Sequence, residues 1–397
     1  MAEFSFTIKK IDSDSRARRG EIHTRAGVIQ TPAFVPVATT GVAKGLDSRD
    51  LVEIGSQCAF CNTYHMHLRP GEDVVKNAGG LSKFIAYPRP IFTDSGGFQA
   101  FSLGLGKEHG IGKVGFFPEQ RVAVKETTVF ANATDEGVHF KSIYDGTMEF
   151  LTPERSMEIQ AALGADIIMA FDECTSPLSD YEYTKKAVER THKWAVRCLQ
   201  SYDKNQALYG IIQGGEWEDL RIESTKFIVS QPFDGIAIGG SLGKDKNDMK
   251  RVMDYIFPLL DNRPRHMLGI GGVDDIFECV ARGIDTMDCV APTRNGRRGS
   301  LYICPQSGGN AANKWRINID ASKFRDDLQP IDPQCDCMVC KQYSRSFLRH
   351  LHNTREYTYA RLAAYHNVYF ITKLFEKIRT AIDNGTFVQL KKEWLGE

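Results

Sequence analysis

DIIMAFD, residues 166–172, is a short apolar run that begins and ends on a carboxylate. A run this short, rich in Ile, Met and Phe and flanked by turn residues, reads as a strand buried on both faces. Seven more follow the same pattern on either side of it. AFVPV (33–37) comes first, CAF (58–60) leads to Asn62, and IFTD (91–94) closes on Asp94. LYGII (208–212) leads to Gln213, and GIAI (235–238) to Gly239 and Gly240. HMLGI (266–270) leads to Gly271, and IDTMDCV (284–290) carries Asp288. Eight such runs with helical segments between most pairs predict an α/β chain folded as a (β/α)8 TIM barrel. Reactive side chains in such a barrel lie at the carboxyl ends of the strands. Here those ends supply Asp94, Asp172, Asp288, Asn62, Gln213 and glycine loops.

The length of 397 residues suits one large barrel with a satellite module. Lys plus Arg and Asp plus Glu stand at 50 each, so the overall charge does not announce a polyanion partner. No apolar run approaches the roughly 20 residues that span a bilayer, and MAEFSFTIKK lacks the pattern of a secretory leader. The expectation is a cytoplasmic protein with no membrane partner. Seven of the ten cysteines lie scattered among apolar neighbours and read as reduced core residues; three are clustered.

Residues 1–30 read as a β-ribbon, FSFTI and EIHTRAGVIQ around the basic turn SRARRG, expected to close the bottom of the barrel. The stretch 103–136 is glycine-rich and too long for an ordinary loop, so it reads as a lid or as disorder. Within it Gly110–Gly115 fits G-x-G-x-x-G, but without a strand before it or a helix after it the match gives no dinucleotide site. VHFKSI and TMEFLT flank Asp145-Gly146 and predict a hairpin. Thr152-Pro153-Glu154 opens a helix that ends at Gly164. Further helices are expected at 183–201, 217–229, 247–260, 273–282 and 355–383. The resulting organisation is a barrel with its ribbon over 1–294, a zinc-binding subdomain over 295–352 inserted near the last strand and helix, and helices completing the barrel over 353–397.

Cys335, Cys337 and Cys340 place three thiols within six residues, and His366 follows after 25 intervening residues. Three thiolates and one imidazole make a closed tetrahedral zinc site of the structural kind. His350 and His352 compete for the fourth position, and placement in the last helix favours His366. From Cys289 to His350 there are ten Arg or Lys against five Asp. Such a surplus is either a solvated face or a phosphate-binding surface, and the Arg294, Arg297 and Arg298 cluster beside Asp288 tips it toward nucleic acid.

Two carboxylates across a barrel mouth suit displacement at an acetal-like carbon, one attacking and one handling the proton. Asp94 and Asp288 are the natural pair. Asp172, Gln213 and the amides of Gly239 and Gly240 form a set complementary to guanine: a carboxylate accepts from N1–H and the 2-amino group, while amides donate to the 6-oxo group. Phe98 and Leu268 could sandwich a flat ring, as flipped bases are held. A single strand-end aspartate is as often a helix cap or part of a buried ion pair; three of them with Gln213 and Asn62 weaken that reading.

CNTYH (61–65), TDSGGFQ (93–99), YDG (144–146), AFDEC (170–174), IIQGG (211–215), AIGG (237–240) and DCVAPTR (288–294) resemble the tRNA-guanine transglycosylases, or queuine tRNA-ribosyltransferases, of bacterial type. The likeness covers nearly the whole chain and includes the zinc ligands. It implies exchange of guanine at the wobble position of G-U-N anticodon tRNAs (Asp, Asn, His, Tyr) for a 7-deazaguanine base, and a homodimer. It implies Asp288 as nucleophile on ribose C1′ and Asp94 as general acid and base. Asp172, Gln213 and Gly240 would read the base, with Ser95 beside the ring, Asn62 and Gln99 supporting the aspartates, and Arg294 and Arg297 gripping the anticodon loop.

Two departures stand out. Phe98 replaces the tyrosine common in the family, and the loop after AIGG reads Gly239-Gly240-Ser241-Leu242-Gly243-Lys244, with Gly243 where bacterial members carry valine. Loss of the valine predicts room for queuine itself; 7-aminomethyl-7-deazaguanine is the alternative base. Two other readings remain: a glycoside hydrolase, which has no use for the zinc or arginine clusters, and a silent tRNA-binding subunit, whose mark would be loss of the nucleophile.

Overall fold

A computed structural model describes residues 4–100, 131–240, 242–243 and 245–396. Its strands, in chain order, are β1 (Ser5–Ile11), β2 (Arg18–Thr24), β3 (Gly27–Thr31), β4 (Ala33–Ala38), β5 (Ala59–Cys61), β6 (Ile91–Thr93), β7 (Ala131–Ala133), β8 (Val138–Lys141), β9 (Met148–Leu151), β10 (Ile167–Met169), β11 (Ala207–Ile212), β12 (Gly235–Ile238), β13 (Arg265–Met267), β14 (Thr286–Cys289), β15 (Ser300–Tyr302) and β16 (Arg316–Asn318). Eight of them close into a parallel barrel in the order β10-β11-β12-β13-β14-β4-β5-β6. These are the eight runs expected from the sequence. Ile168 faces Leu208 across β10 and β11, and Asp288 faces Val35 across β14 and β4. Every residue of β10, β11 and β12 is buried, which is why these segments read as unbroken apolar runs rather than alternating ones.

The chain forms two compact units, one of Met1–Phe6, His23–Gly27 and Phe60–Leu268, the other of Thr7–Ile22, Val28–Ala59 and Gly269–Glu397. In the first, Phe60, Phe92 and His266 from β5, β6 and β13 stack as buried rings, with centroids 5.4–6.1 Å apart. The predicted Asp145-Gly146 hairpin is present as β8 and β9, extended by β7 to three strands. Thr152 caps the helix Pro153–Leu163 by accepting from the Arg155 N–H, and Gly164 ends it at φ 72°. The helices Tyr181–Ser201, Glu218–Ser230 and Lys246–Ile256 follow where expected. Residues 103–130, with the G-x-G-x-x-G match, lie outside the described residues.

The N-terminal ribbon has three strands rather than two, because the chain reverses at Arg25-Ala26 and EIHTRAGVIQ splits into β2 and β3. Buried Arg18 pairs with Asp285, the residue entering β14, and Arg25 donates to Asp166, the residue entering β10. Both pairs lie at the amino ends of their strands.

In the second unit the helix Val273–Ala281 precedes β14 and the helix Ala291–Arg297 follows it. β15 and β16 then form a hairpin, and short helices at Met338–Gln342 and Arg345–Asn353 lead to the long helix Tyr357–Asn384. Gly296 lets two helices touch: a Cβ there would stand 2.8 Å from the Ala363 carbonyl oxygen. Buried Asn367 stitches the long helix down, donating to the Pro292 and Ser300 carbonyls and accepting from the Tyr302 N–H. No helix among the described residues is long and apolar enough to cross a membrane.

Candidate active site and metal centre

Asp172 lies three residues past β10 and is 4% exposed. Ser95 Oγ donates to its Oδ1 at 2.9 Å and Gln213 Nε2 to its Oδ2 at 2.6 Å. Burial pushes the carboxyl up to about 6, against the pull of these two hydrogen bonds. Gln213 follows β11 directly, and its own N–H is fixed by Ser224 Oγ at 3.1 Å. One proton of its Nε2 is spent on Asp172, leaving a second. Its Oε1 is buried with no hydrogen-bond partner among the described residues. Gly239 and Gly240 follow β12, and a Cβ on either would run into the Gln213 amide. Gly240 also sits at φ 81°, so glycine is required there by both backbone and space.

Glu173, next to Asp172, is equally buried, but its carboxylate is satisfied by Arg190 and by Tyr183 Oη at 2.7 Å. Gly97 stands close beside: a Cβ there would lie 2.7 Å from the Asp172 carbonyl oxygen. Phe98 is half-buried, as is Leu268, which follows β13 and whose Cδ1 lies 3.5 Å from where a Cβ on Gly239 would be.

Asp94 follows β6 and is held by the start of the helix Thr63–Leu68. Thr63 N–H donates to its Oδ1 at 2.7 Å and Asn62 Nδ2 to its Oδ2. Asn62 caps the same helix through its Oδ1, which accepts from the His65 N–H at 3.1 Å. Asn62 thus links the start of that helix to Asp94. Gln99 makes no such bond, and its Oε1 is buried without a partner among the described residues. Asp288 is the penultimate residue of β14, 8% exposed, and accepts the Gly269 N–H at 2.9 Å. Arg294 and Arg297 stand half-buried in the helix that begins two residues after β14. Burial, with the neighbouring Arg298 and Arg294 charges, holds Arg297 below the ordinary arginine value.

Gly243 has φ 98°, and a Cβ there would collide with the Asp248 side chain. A valine could not occupy this backbone, and the direction its side chain would take is filled by Asp248. The glycine therefore leaves no vacated space in that direction. Ser241 and Lys244 lie outside the described residues.

Cys335, Cys337, Cys340 and His366 come together, with all four ligand atoms within 4.8 Å of one another. His366 Nδ1 lies 3.8, 3.5 and 3.4 Å from the three sulfurs in chain order. Its Nε2 lies 2.8 Å from the Tyr302 carbonyl oxygen, which fixes the tautomer with the proton on Nε2 and the Nδ1 lone pair toward the sulfurs. Three soft sulfurs and one imidazole could hold one metal ion. His350 and His352 fall outside the cluster, and His352 stacks edge-on against Tyr359 instead.

Sequence reasoning overlooked Arg221, Ser224, Thr63 and Asn367. Arg221 and Ser224 did carry a signal: both fall in the buried stripe Leu220, Arg221, Ser224, Thr225, Ile228 of their helix. Polar residues at core positions of a helix need partners inside. Thr63 holds Asp94 through its N–H and, by its hydroxyl, through the Asp94 carbonyl, contacts that only the fold brings together.

A closed parallel barrel with carboxylates at strand ends and a Cys3His cluster defines a barrel enzyme carrying a metal-binding module. Comparison with known proteins makes this particular. The family model described as queuine tRNA-ribosyltransferase matches residues 12–397. A putative queuine tRNA-ribosyltransferase of Archaeoglobus fulgidus is 53% identical, the alignment covering 96% of this chain and 97% of that one. The queuine tRNA-ribosyltransferases of a Roseiflexus species and of Bacillus subtilis are 44% and 42% identical, covering 99% and 95% of this chain and 99% and 92% of theirs. The chain belongs to the queuine tRNA-ribosyltransferase family, and so to the pentosyltransferases.

Proposed function

We propose that this enzyme exchanges guanine at the wobble position of tRNAs with G-U-N anticodons for a 7-deazaguanine base. One observation carries the reading. Asp172, Ser95 and Gln213 form a buried polar cluster beside Gly240, with lone pairs on Asp172 and the second Nε2 proton of Gln213 left to spend. A buried polar group without a partner is costly unless a ligand completes it. Asp172 accepts from the purine N1–H and 2-amino group, and Gln213 and the Gly240 N–H donate to the 6-oxo group. Adenine, with an acceptor at N1 and a donor at C6, is rejected.

The reaction is a double displacement. An Asp288 carboxylate oxygen bonds to ribose C1′ as the C1′–N9 bond breaks; the electron pair leaves on guanine, and Asp94 supplies its proton. The incoming base then gives its N9 proton to Asp94 and takes C1′, and Asp288 leaves as a carboxylate. Asn62 and the Thr63 N–H keep Asp94 aimed through both steps. Arg294 and Arg297 neutralise backbone phosphates of the anticodon loop.

Cys335, Cys337, Cys340 and His366 hold one structural zinc, a donor set that leaves no position open to water. The family resemblance further suggests a cytoplasmic homodimer.

Queuine is the favoured base and 7-aminomethyl-7-deazaguanine the alternative. The preference rests on the sequence alone, where Gly243 stands in place of the bacterial valine, and gains nothing from vacated space, since Asp248 fills the direction of a Cβ there. The test is release of labelled guanine from a G-U-N tRNA with each base offered in parallel. Release with queuine preferred supports both claims; release only with the aminomethyl base removes the queuine claim; no release with either, from folded metal-loaded protein, removes the transglycosylase reading.

A further inference from the structure

Arg221 lies in the first turn of the helix Glu218–Ser230 and is fully buried. Its guanidinium donates to three backbone carbonyls: Nε to Gly215 at 2.8 Å, and Nη1 to Ile212 at 3.1 Å and Gly239 at 2.9 Å. These carbonyls belong to the two loops that carry Gln213 and Gly240. One turn further along the helix, Ser224 takes the Gln213 N–H. The chain crosses tightly over this helix at Gly214, where a Cβ would lie 2.9 Å from the Arg221 nitrogen.

Glycine pairs do not fix their own peptide orientation, because glycine populates both signs of φ. The Gly239–Gly240 peptide therefore needs an external hold. A trans peptide is planar, with C=O and N–H opposed. Turning the Gly239 carbonyl onto Arg221 turns the Gly240 N–H the other way. The arrangement is costly to keep: burial pushes Arg221 down to about 10. A buried cation is weak evidence for stability, since apolar residues of similar volume often serve as well. Its placement under two recognition loops gives it another purpose.

The geometry points to Arg221 as a positioning residue for base recognition, holding the Ile212–Gly215 and Gly239–Gly240 segments so that the Gly240 N–H and the Gln213 amide meet the 6-oxo edge of a purine. This rests on the base-reading role proposed above for those two residues.

The test uses the full-length, metal-loaded protein as wild type, Arg221→Gln and Arg221→Lys. Incorporation of labelled guanine into a G-U-N tRNA is followed, with KM for guanine and KM for tRNA measured separately and folding checked by thermal melt. Arg221→Gln is expected to raise the guanine KM about tenfold or more while the tRNA KM stays within about twofold. Arg221→Lys, which keeps the charge but cannot span three carbonyls, is expected to fall between the two. An unchanged guanine KM in a folded variant overturns the proposal. So does an equal rise in both KM values, or failure of both variants to fold, since either makes the role a general structural one. If the wild type incorporates no guanine, the base-reading assignment has failed; if it does and Arg221→Gln matches it, only the Arg221 proposal has.

Discussion

The Cys3His cluster and the cluster around Asp172 are both buried polar assemblies, yet one is finished and the other is not. Around His366, Nε2 is taken by the Tyr302 carbonyl and Nδ1 faces three sulfurs. Around Asp172, two hydrogen bonds are made, while further lone pairs on its carboxylate and the second Nε2 proton of Gln213 stay unspent, and the carboxyl is pushed up to about 6. A set of groups complete in itself, given its ion, serves folding. A set that leaves capacity unspent holds free energy in reserve for a ligand. The difference teaches which polar cluster to expect in stability measurements and which in kinetics.

The largest effect that could break this contrast is at the metal. Cys337→Ala should abolish metal binding, measured as zero rather than one zinc per chain, and destabilise the protein by more than about 4 kcal/mol in a denaturant melt. Retention of wild-type stability would remove the folding role. Asp172→Asn should do the opposite. It swaps an acceptor for a donor and should lower kcat/KM for guanine about 10³-fold or more, with no loss of melting temperature.

The pH dependence sharpens the point. A raised carboxyl value means the folded chain holds this proton more tightly than the unfolded chain does. The Asp172 charge therefore opposes folding above about pH 6, and that opposition fades as pH falls through 6 toward the ordinary carboxylate range. Asp172→Asn should accordingly melt higher than wild type at pH 8, with the gap closing by pH 4.5. In the wild type the guanine KM should rise as pH falls below about 6, because a protonated Asp172 loses acceptor capacity. A flat profile would separate Asp172 from base binding. The smallest expected effect is that of Ser95→Ala, which removes one of the two bonds to Asp172. It should raise the guanine KM about fivefold, equivalent to about 1 kcal/mol, and leave stability within about 0.5 kcal/mol.

Much of this was legible in the sequence because the relevant signals are local. Buried parallel strands print as continuous apolar runs, so all eight barrel strands could be read. The residues that follow them could be read with them, among them Asn62, Asp94, Asp172 and Gln213. Cys-x-Cys-x2-Cys is a local pattern too; the choice of His366 over His350 and His352 needed only that it lie on the last helix. What escaped is non-local. The three carbonyls that Arg221 holds lie 6 to 18 residues away, and Asn367 reaches back more than 60 residues. The inference of open space at Gly243 failed for the same reason. The sequence records the lost side chain but not that Asp248, on the next helix, fills its direction.

The most direct test of the unfinished pocket is a thermal shift with free purines on wild type and Asp172→Asn. A ligand that completes the cluster stabilises the folded state by mass action. Guanine should raise the wild-type melting temperature, adenine should not, and guanine should have no effect on Asp172→Asn. Equal shifts by guanine and adenine, or an undiminished guanine shift in Asp172→Asn, would contradict it.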